Sequence, residues 1–193
     1  MDHLKKKKNQ SISEKDIDAS SLFQKSLPTT SDNLLIKLKK WKIKFDLIEH
    51  VPLRTVKESK QFHHQSLLFD KSVAQIKNLY LRDHKKNNFL LVVHQDKKID
   101  LKKLSEIIKA GRLSFGSEER LFENLGVRPG AVTPFAMING IHKNVDLYLD
   151  LHLRSYPKFY AHPLVNDRTI EVTIEGLENF CKNIGVRVNW IQL

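Results

Sequence analysis

The sequence predicts an α+β protein in which helices pack against a mixed β-sheet. Three observations lead there. Strand-like runs outnumber helix-like ones, and the two kinds alternate irregularly along the chain. A polar turn, HKKNN, joins two apolar runs, AQIKNLYLRD (74–83) and FLLVVH (89–94), which is a hairpin signal. The 193 residues are 40% hydrophobic, enough for one ordinary core.

The elements follow in order. Residues 1–30 are polar, poor in large apolar side chains and without periodicity, so they are expected to form a flexible basic arm. A folded domain is expected over 31–193. Ser31 is placed as the N-cap of a helix whose apolar face is Leu34, Leu35, Leu38 and Trp41, with Lys37, Lys39 and Lys40 elsewhere around it. Ile43, Phe45 and Leu47 alternate as in a strand. Thr55 and Glu58 have capping-box spacing and open a short helix. Residues 63–72 favour no element.

After the hairpin, Leu101, Leu104, Ile107 and Ile108 mark an amphipathic helix stopped by Gly111. RLSF (112–115) is a short strand. Ser117 caps a helix with Glu118 and Glu119 in its positive first turn, Leu121, Phe122 and Leu125 on its buried face, and Gly126 as its stop. Strands are expected around PFAMIN (134–139) and VDLYLDL (145–151), and again at RTIEVTI (168–174). A helix with Leu177, Phe180, Cys181 and Ile184 on one face follows, and VRVNWIQL (186–193) closes as a strand.

Lysine and arginine number 33 against 22 aspartates and glutamates, a formal net charge of +11. That excess favours a polyanionic partner such as nucleic acid. The basic residues of 34–44, with Lys97, Lys98, Lys102 and Lys103, are candidates for a phosphate-tracking surface; a solvated helix face explains them equally well. The single cysteine, Cys181, excludes an internal disulfide and lies on an apolar stripe, which reads as a core position. A reducing, cytoplasmic setting is expected. No apolar run reaches the length of about 18 residues that marks a membrane span, and no apolar segment follows the Lys5–Lys8 run as a secretory signal requires.

Two stretches stand out chemically. Lys77 shares a strand face with Leu79 and Leu81, at the end of an apolar row. In GVRPGAVTPFAMIN (126–139), Gly126, Pro129, Gly130 and Pro134 crowd into nine positions. Such a loop is able to aim several backbone N–H groups at one anion or developing oxyanion; an ordinary tight connection has the same spacing. Adjacent His63 and His64 suit a shared metal poorly, His142, His152 and His162 are scattered, and no thiol pair exists, so neither metal nor cofactor is expected.

KNLYLRD (77–83), KKNNFLLVV (85–93), GRLSFGSEERL (111–121) and LGVRPGAVTPFAMIN (125–139) together resemble the prolyl-tRNA editing family, the YbaK-type deacylases, and within it the free-standing ProX-type enzymes acting on alanyl-tRNA(Pro). The resemblance spans about residues 31–193. It implies hydrolysis in trans of a mischarged aminoacyl ester at a tRNA 3′ end, with prolyl-tRNA synthetase as a further partner and no membrane. It places the family's lysine on Lys77, its Gly-x-x-x-Pro loop on Gly130–Pro134, and its His-Pro on His162-Pro163. Catalytic roles are implied for Lys77, Gly130, Thr133, Pro134 and His162. Substrate contacts are implied for Asn78, Ala131, Val132, Asn139 and Ser117. Ala131 and Ala136 stand where relatives often carry Gly or Ser, so the acyl preference is less sharply specified than deacylation itself; Cys-tRNA(Pro) and a non-catalytic tRNA-binding role are the alternatives.

Overall fold

Among the described residues eight strands are present: β1 (Phe45–Glu49), β2 (Ala74–Asp83), β3 (Asn88–His94), β4 (Leu113–Phe115), β5 (Val145–Asp150), β6 (Lys158–Ala161), β7 (Arg168–Thr173) and β8 (Val188–Ile191). They form one mixed sheet in the order β1-β7-β6-β2-β3-β5-β8, with β4 also beside β2. The helices are α1 (Ser31–Lys40), α2 (Val56–Gln65), α3 (Leu101–Ile107), α4 (Glu118–Leu125), α5 (Met137–Gly140) and α6 (Ile174–Asn183). The structure, a computed structural model, describes residues 17–53, 55–65, 70 and 72–193. The fold class is the expected one.

β2 and β3 pair antiparallel from Ile76↔His94 to Arg82↔Asn88, so the hairpin signal was correctly read. Both faces of this hairpin are covered. Tyr80, Leu90 and Val92 enter the main core with Leu34, Phe135, Leu147 and Phe180. Leu81, Leu91 and Val93 enter a smaller cluster with Leu104 of α3, and Leu79 packs against it. β3, β5 and β8 run parallel to one another, which brings their carboxyl ends together.

The edge of β2 away from β3 is divided. Its start pairs in parallel with β6 at Ala74 and Gln75. Its end pairs with β4 at Leu81, Arg82 and Asp83. Between these, Ile76 to Leu79 have no strand neighbour on that edge among the described residues. A gap of this kind leaves room for a ligand beside the backbone.

The structure corrects several expectations. The N-cap of α1 is Thr30, whose hydroxyl accepts from the Asn33 N–H at 3.1 Å, while Ser31 is the buried first helical residue. PFAMIN is not a strand: 134–136 form a 3₁₀ turn that leads into α5. Pro134 occupies the first position of that turn, where its missing N–H is not needed, and Thr133 caps it. An apolar run alone does not distinguish a buried turn of helix from a buried strand. β6 was not foreseen; its four residues are too few to show alternation.

Residues 19–27, placed in the expected arm, pack against the rest of the chain. Ala19 and Leu27 are buried, and Ser21–Ser26 form a 3₁₀ helix. Ser21 donates through its N–H at 2.9 Å and its hydroxyl at 2.7 Å to the Asp167 carboxylate, and Asn166 N–H donates to the Ala19 carbonyl at 2.9 Å. Hydrogen bonds rather than an apolar stripe hold this segment, so periodicity could not reveal it. Lys5–Lys8 lie outside the described residues.

Candidate active site

A cavity of ≈ 250 Å³ opens at the gap in β2. Gln75 to Leu79 form one wall, Gly130 and Val132 another, and Tyr160, Ala161, His162 and Thr169 a third. Leu53, Thr55 and Gln95 complete the lining. Lys77 and the glycine–proline loop, about fifty residues apart in the chain, therefore meet at one concavity.

Lys77 is half-buried, and its ammonium donates to the Lys97 carbonyl. Its pKa lies below the ordinary lysine value: burial is the main cause, Asp96 opposes it and Lys60 adds to it. An ammonium has three donors, so two remain after the Lys97 bond. Asn78 points to the other face of β2, and its Nδ2 donates to the Val132 carbonyl at 2.9 Å. A carbonyl only accepts, which fixes the orientation of the amide. Asn78 Oδ1 is then a buried acceptor without a hydrogen-bond partner among the described residues, as is Gln75 Oε1 on the same wall. Two such atoms at one cavity mark a place for a donor-bearing ligand.

Gly130 has φ 88, a region glycine enters without strain. The Ala131 N–H is engaged with the Arg128 carbonyl at 3.0 Å, and Pro134 has none. Of the loop, Gly130 and Val132 line the cavity, and their N–H groups are the candidate oxyanion donors. Ala131, Thr133 and Pro134 are buried behind it and shape the turn.

On the third wall, His162 Nδ1 lies 2.9 Å from the Arg168 carbonyl, which assigns the proton to Nδ1 in the neutral ring. His50 stands behind Thr169. Its Nδ1 faces the Val51 carbonyl at 2.7 Å and its Nε2 faces the Thr169 hydroxyl at 2.8 Å. A neutral His50 therefore accepts from Thr169, leaving the threonine oxygen as an acceptor at the wall. Burial lowers the His50 pKa and favours that neutral ring; the Val51 carbonyl and Asp167 oppose the shift.

Other expected site residues lie apart from the cavity lining. Ser117 caps α4, accepting from the Arg120 N–H at 3.4 Å. Asn139 clasps the loop from behind, donating to the Leu125 carbonyl at 3.0 Å and accepting from the Thr29 hydroxyl at 2.8 Å. The side chains of His63 and His64 lie outside the described residues. Among the described residues no group of three His, Cys, Asp or Glu side chains is placed to hold a metal. No helix among them is long and apolar enough to cross a membrane. Gln75, Gln95, Thr169 and His50 were missed in the sequence. Each is a common polar residue, and only the fold assembles them.

The fold and the site define a class, the aminoacyl-tRNA editing domains, whose family matches residues 50–180. The chain belongs to that family. It is 35% identical over 161 residues to the prolyl-tRNA editing protein ProX of Acetoanaerobium sticklandii, covering 83% of this chain and 95% of the relative. It is 34% identical over 145 residues to prolyl-tRNA synthetase associated domain-containing protein 1 of Danio rerio, covering 74% of this chain and 76% of the relative. A solved structure described as a candidate trans-editing enzyme for prolyl-tRNA synthetase superposes with a TM-score of 0.60 at 21% identity, over 86% of this chain and 98% of that one. At that identity the superposition speaks for the fold alone.

Proposed function

We propose that this protein is a trans-editing hydrolase that removes alanine from mischarged Ala-tRNA(Pro), cleaving the ester to the terminal adenosine. The observation that carries the reading is the meeting of Lys77, Asn78, Gly130 and Val132 at one small cavity, in a chain similar to a ProX protein. A synthetase pocket sized for proline cannot strongly exclude a smaller amino acid, so a second site must remove the error. The cavity, ≈ 250 Å³, admits an aminoacyl group rather than a length of nucleic acid.

In this reading, water attacks the ester carbonyl and negative charge grows on its oxygen. The N–H groups of Gly130 and Val132 receive that charge, and the Lys77 ammonium holds the acyl oxygen or the terminal phosphate. Asn78 and Gln75 offer their free oxygens to the substrate's ammonium. The ribose 2′-hydroxyl of the substrate helps activate the water, so a 2′-deoxy terminal adenosine slows cleavage markedly; unchanged turnover would exclude that step. The hydrolysis needs no metal, and excess chelator leaves the rate as it is.

Incubation with labelled Ala-, Cys- and Pro-tRNA(Pro) tests the proposal. Rapid release of alanine with cysteine and proline spared supports it. Preferential release of cysteine changes the substrate, and binding without release of any amino acid makes the protein a tRNA-binding module. Lys77→Ala is expected to lower the rate about a hundredfold, the usual scale for removing one charge-stabilising donor.

A further inference from the structure

The ammonium of Lys77 is held by a backbone carbonyl, and that carbonyl belongs to Lys97, in the turn that leaves β3. Lys97 is itself tied down twice. Its ammonium lies 3.5 Å from Asp150 Oδ2 at the end of β5. It also donates to the carbonyl of Leu193, beyond β8, at 2.6 Å. The parallel run of β3, β5 and β8 makes this convergence possible, because their carboxyl ends are neighbours. β2 is antiparallel to β3, so the start of β2, with Lys77, lies at the same end of the sheet.

Asp150 is wholly buried. Its Oδ1 accepts from the His152 N–H at 3.3 Å, while Oδ2 has no hydrogen bond and faces only the Lys97 charge among the described residues. A buried carboxylate does not release its one cation cheaply. Lys97 thus stays at Asp150, the 95–100 turn stays against the ends of β5 and β8, and the Lys97 carbonyl stays where Lys77 finds it. A lysine stem has four rotatable bonds, and without a fixed acceptor its ammonium would sample many positions. With one N–H committed to Lys97, the other two have set directions.

We infer that Lys97, anchored by Asp150, is a positioning residue that aims the Lys77 ammonium at the cavity. The inference rests on the reading of Lys77 as part of the deacylation site. It assigns to Lys97 a task other than phosphate contact, the one considered for it in the sequence.

The test is a double-mutant cycle on the full chain, read as single-turnover hydrolysis of Ala-tRNA(Pro) with enzyme in excess. Lys97→Met is expected to lower the hydrolysis step about tenfold, since small misplacement of a catalytic group is costly, with little change in half-saturation. In a Lys77→Ala background the same substitution is expected to cost nothing further. Lys97→Arg, which keeps a cation at Asp150, is expected to recover most of the rate. Equal losses in both backgrounds, or no loss in the first, would overturn the inference by leaving Lys97 a merely structural or idle residue. Lys97→Met combined with Asp150→Asn removes the stranded carboxylate; the loss should persist there, and a return to the parental rate would overturn the inference too. Parental activity in Lys77→Ala alone is a different failure: it removes the site reading, and the positioning role with it.

Discussion

The side chain of Asn78 is bonded to the backbone of Val132 at 2.9 Å, and this bond joins the unpaired stretch of β2 to the glycine–proline loop. It ties two of the three walls of the cavity to each other. Asn78→Ala removes the donor and leaves the Val132 carbonyl without its partner, at a cost of about 1–3 kcal/mol. The loop then loses its register against Lys77. Hydrolysis of Ala-tRNA(Pro) is expected to fall at least about tenfold, beyond what the stability loss explains. Asn78→Asp is expected to do worse, because a carboxylate faces a carbonyl with no proton between them. Single-turnover assays beside thermal melts of both variants separate the two effects.

Gly130 carries the loop through φ 88. Any other L-residue there is strained by about 1–2 kcal/mol, and relief of the strain moves the N–H groups of Gly130 and Val132, the proposed oxyanion donors. Gly130→Ala is therefore expected to lower the hydrolysis rate about tenfold to a hundredfold, in the range of one lost oxyanion donor. Binding of uncharged tRNA(Pro), followed by filter retention, is expected to change little. A loss of binding equal to the loss of rate would point to a collapsed loop rather than misdirected donors.

The extent to which this molecule was legible follows from the range of the forces involved. Local signals were dependable: the hairpin of β2 and β3, the Ser117 cap and the Gly126 stop of α4 at φ 64 are each set by a few neighbouring residues. Where burial was uniform, the signal failed. The run Phe135, Ala136, Met137 is buried throughout and looks the same as strand or helix. The site divides in the same way. Lys77 and the Gly130 loop stand out because a cation and a glycine–proline cluster are unusual in such places, while Asn78 was indicated only by the resemblance. Gln75, Thr169 and His50 are ordinary in sequence, and they matter only because β6 and β7 lie across the gap from β2. Asp150 looks like a strand-end residue until β3, β5 and β8 are seen to end together.

The segment before α1 offers a test of where the fold begins. Residues 19–27 are held by Asp167 and Asn166, and Leu27 joins the main core. Removal of residues 1–16 gives the reference chain, which keeps each of these contacts. Removal of residues 1–30 uncovers Leu27's contacts, strips Ser21 from Asp167 and deletes the Thr30 cap. The cap alone is worth about 1 kcal/mol. The shorter chain should melt several degrees lower, and equal melting of the two truncations would return these residues to the arm. Asp167→Ala in the full chain gives an independent check, with an expected loss of about 1–3 kcal/mol for charge-assisted bonds.

His50 makes stability depend on pH in a direction that can be derived. Its pKa in the folded chain is lowered from the ordinary 6.5, chiefly by burial. As the pH falls past 6.5 the unfolded chain takes up a proton on this ring while the folded chain does not. The unfolded state then binds more protons, so stability declines as pH falls, until the folded ring also protonates. His94 acts in the same direction, with burial its largest cause and with His152, Lys60 and Lys77 reinforcing it against Asp96. Above pH 7 both rings are neutral in either state, and their contribution is constant. Melting temperatures measured from pH 8 to pH 5 are expected to drop most steeply below about 6.5, the unperturbed histidine pKa. His50→Gln, which cannot take up the proton, should flatten that drop in part, with the remainder due to His94 and other groups. A variant without an acceptor reports on the cavity. If Thr169 needs His50 to take its hydrogen, His50→Leu should slow hydrolysis at pH 8, where the native ring is neutral; a parental rate there confines His50 to holding β1 against β7.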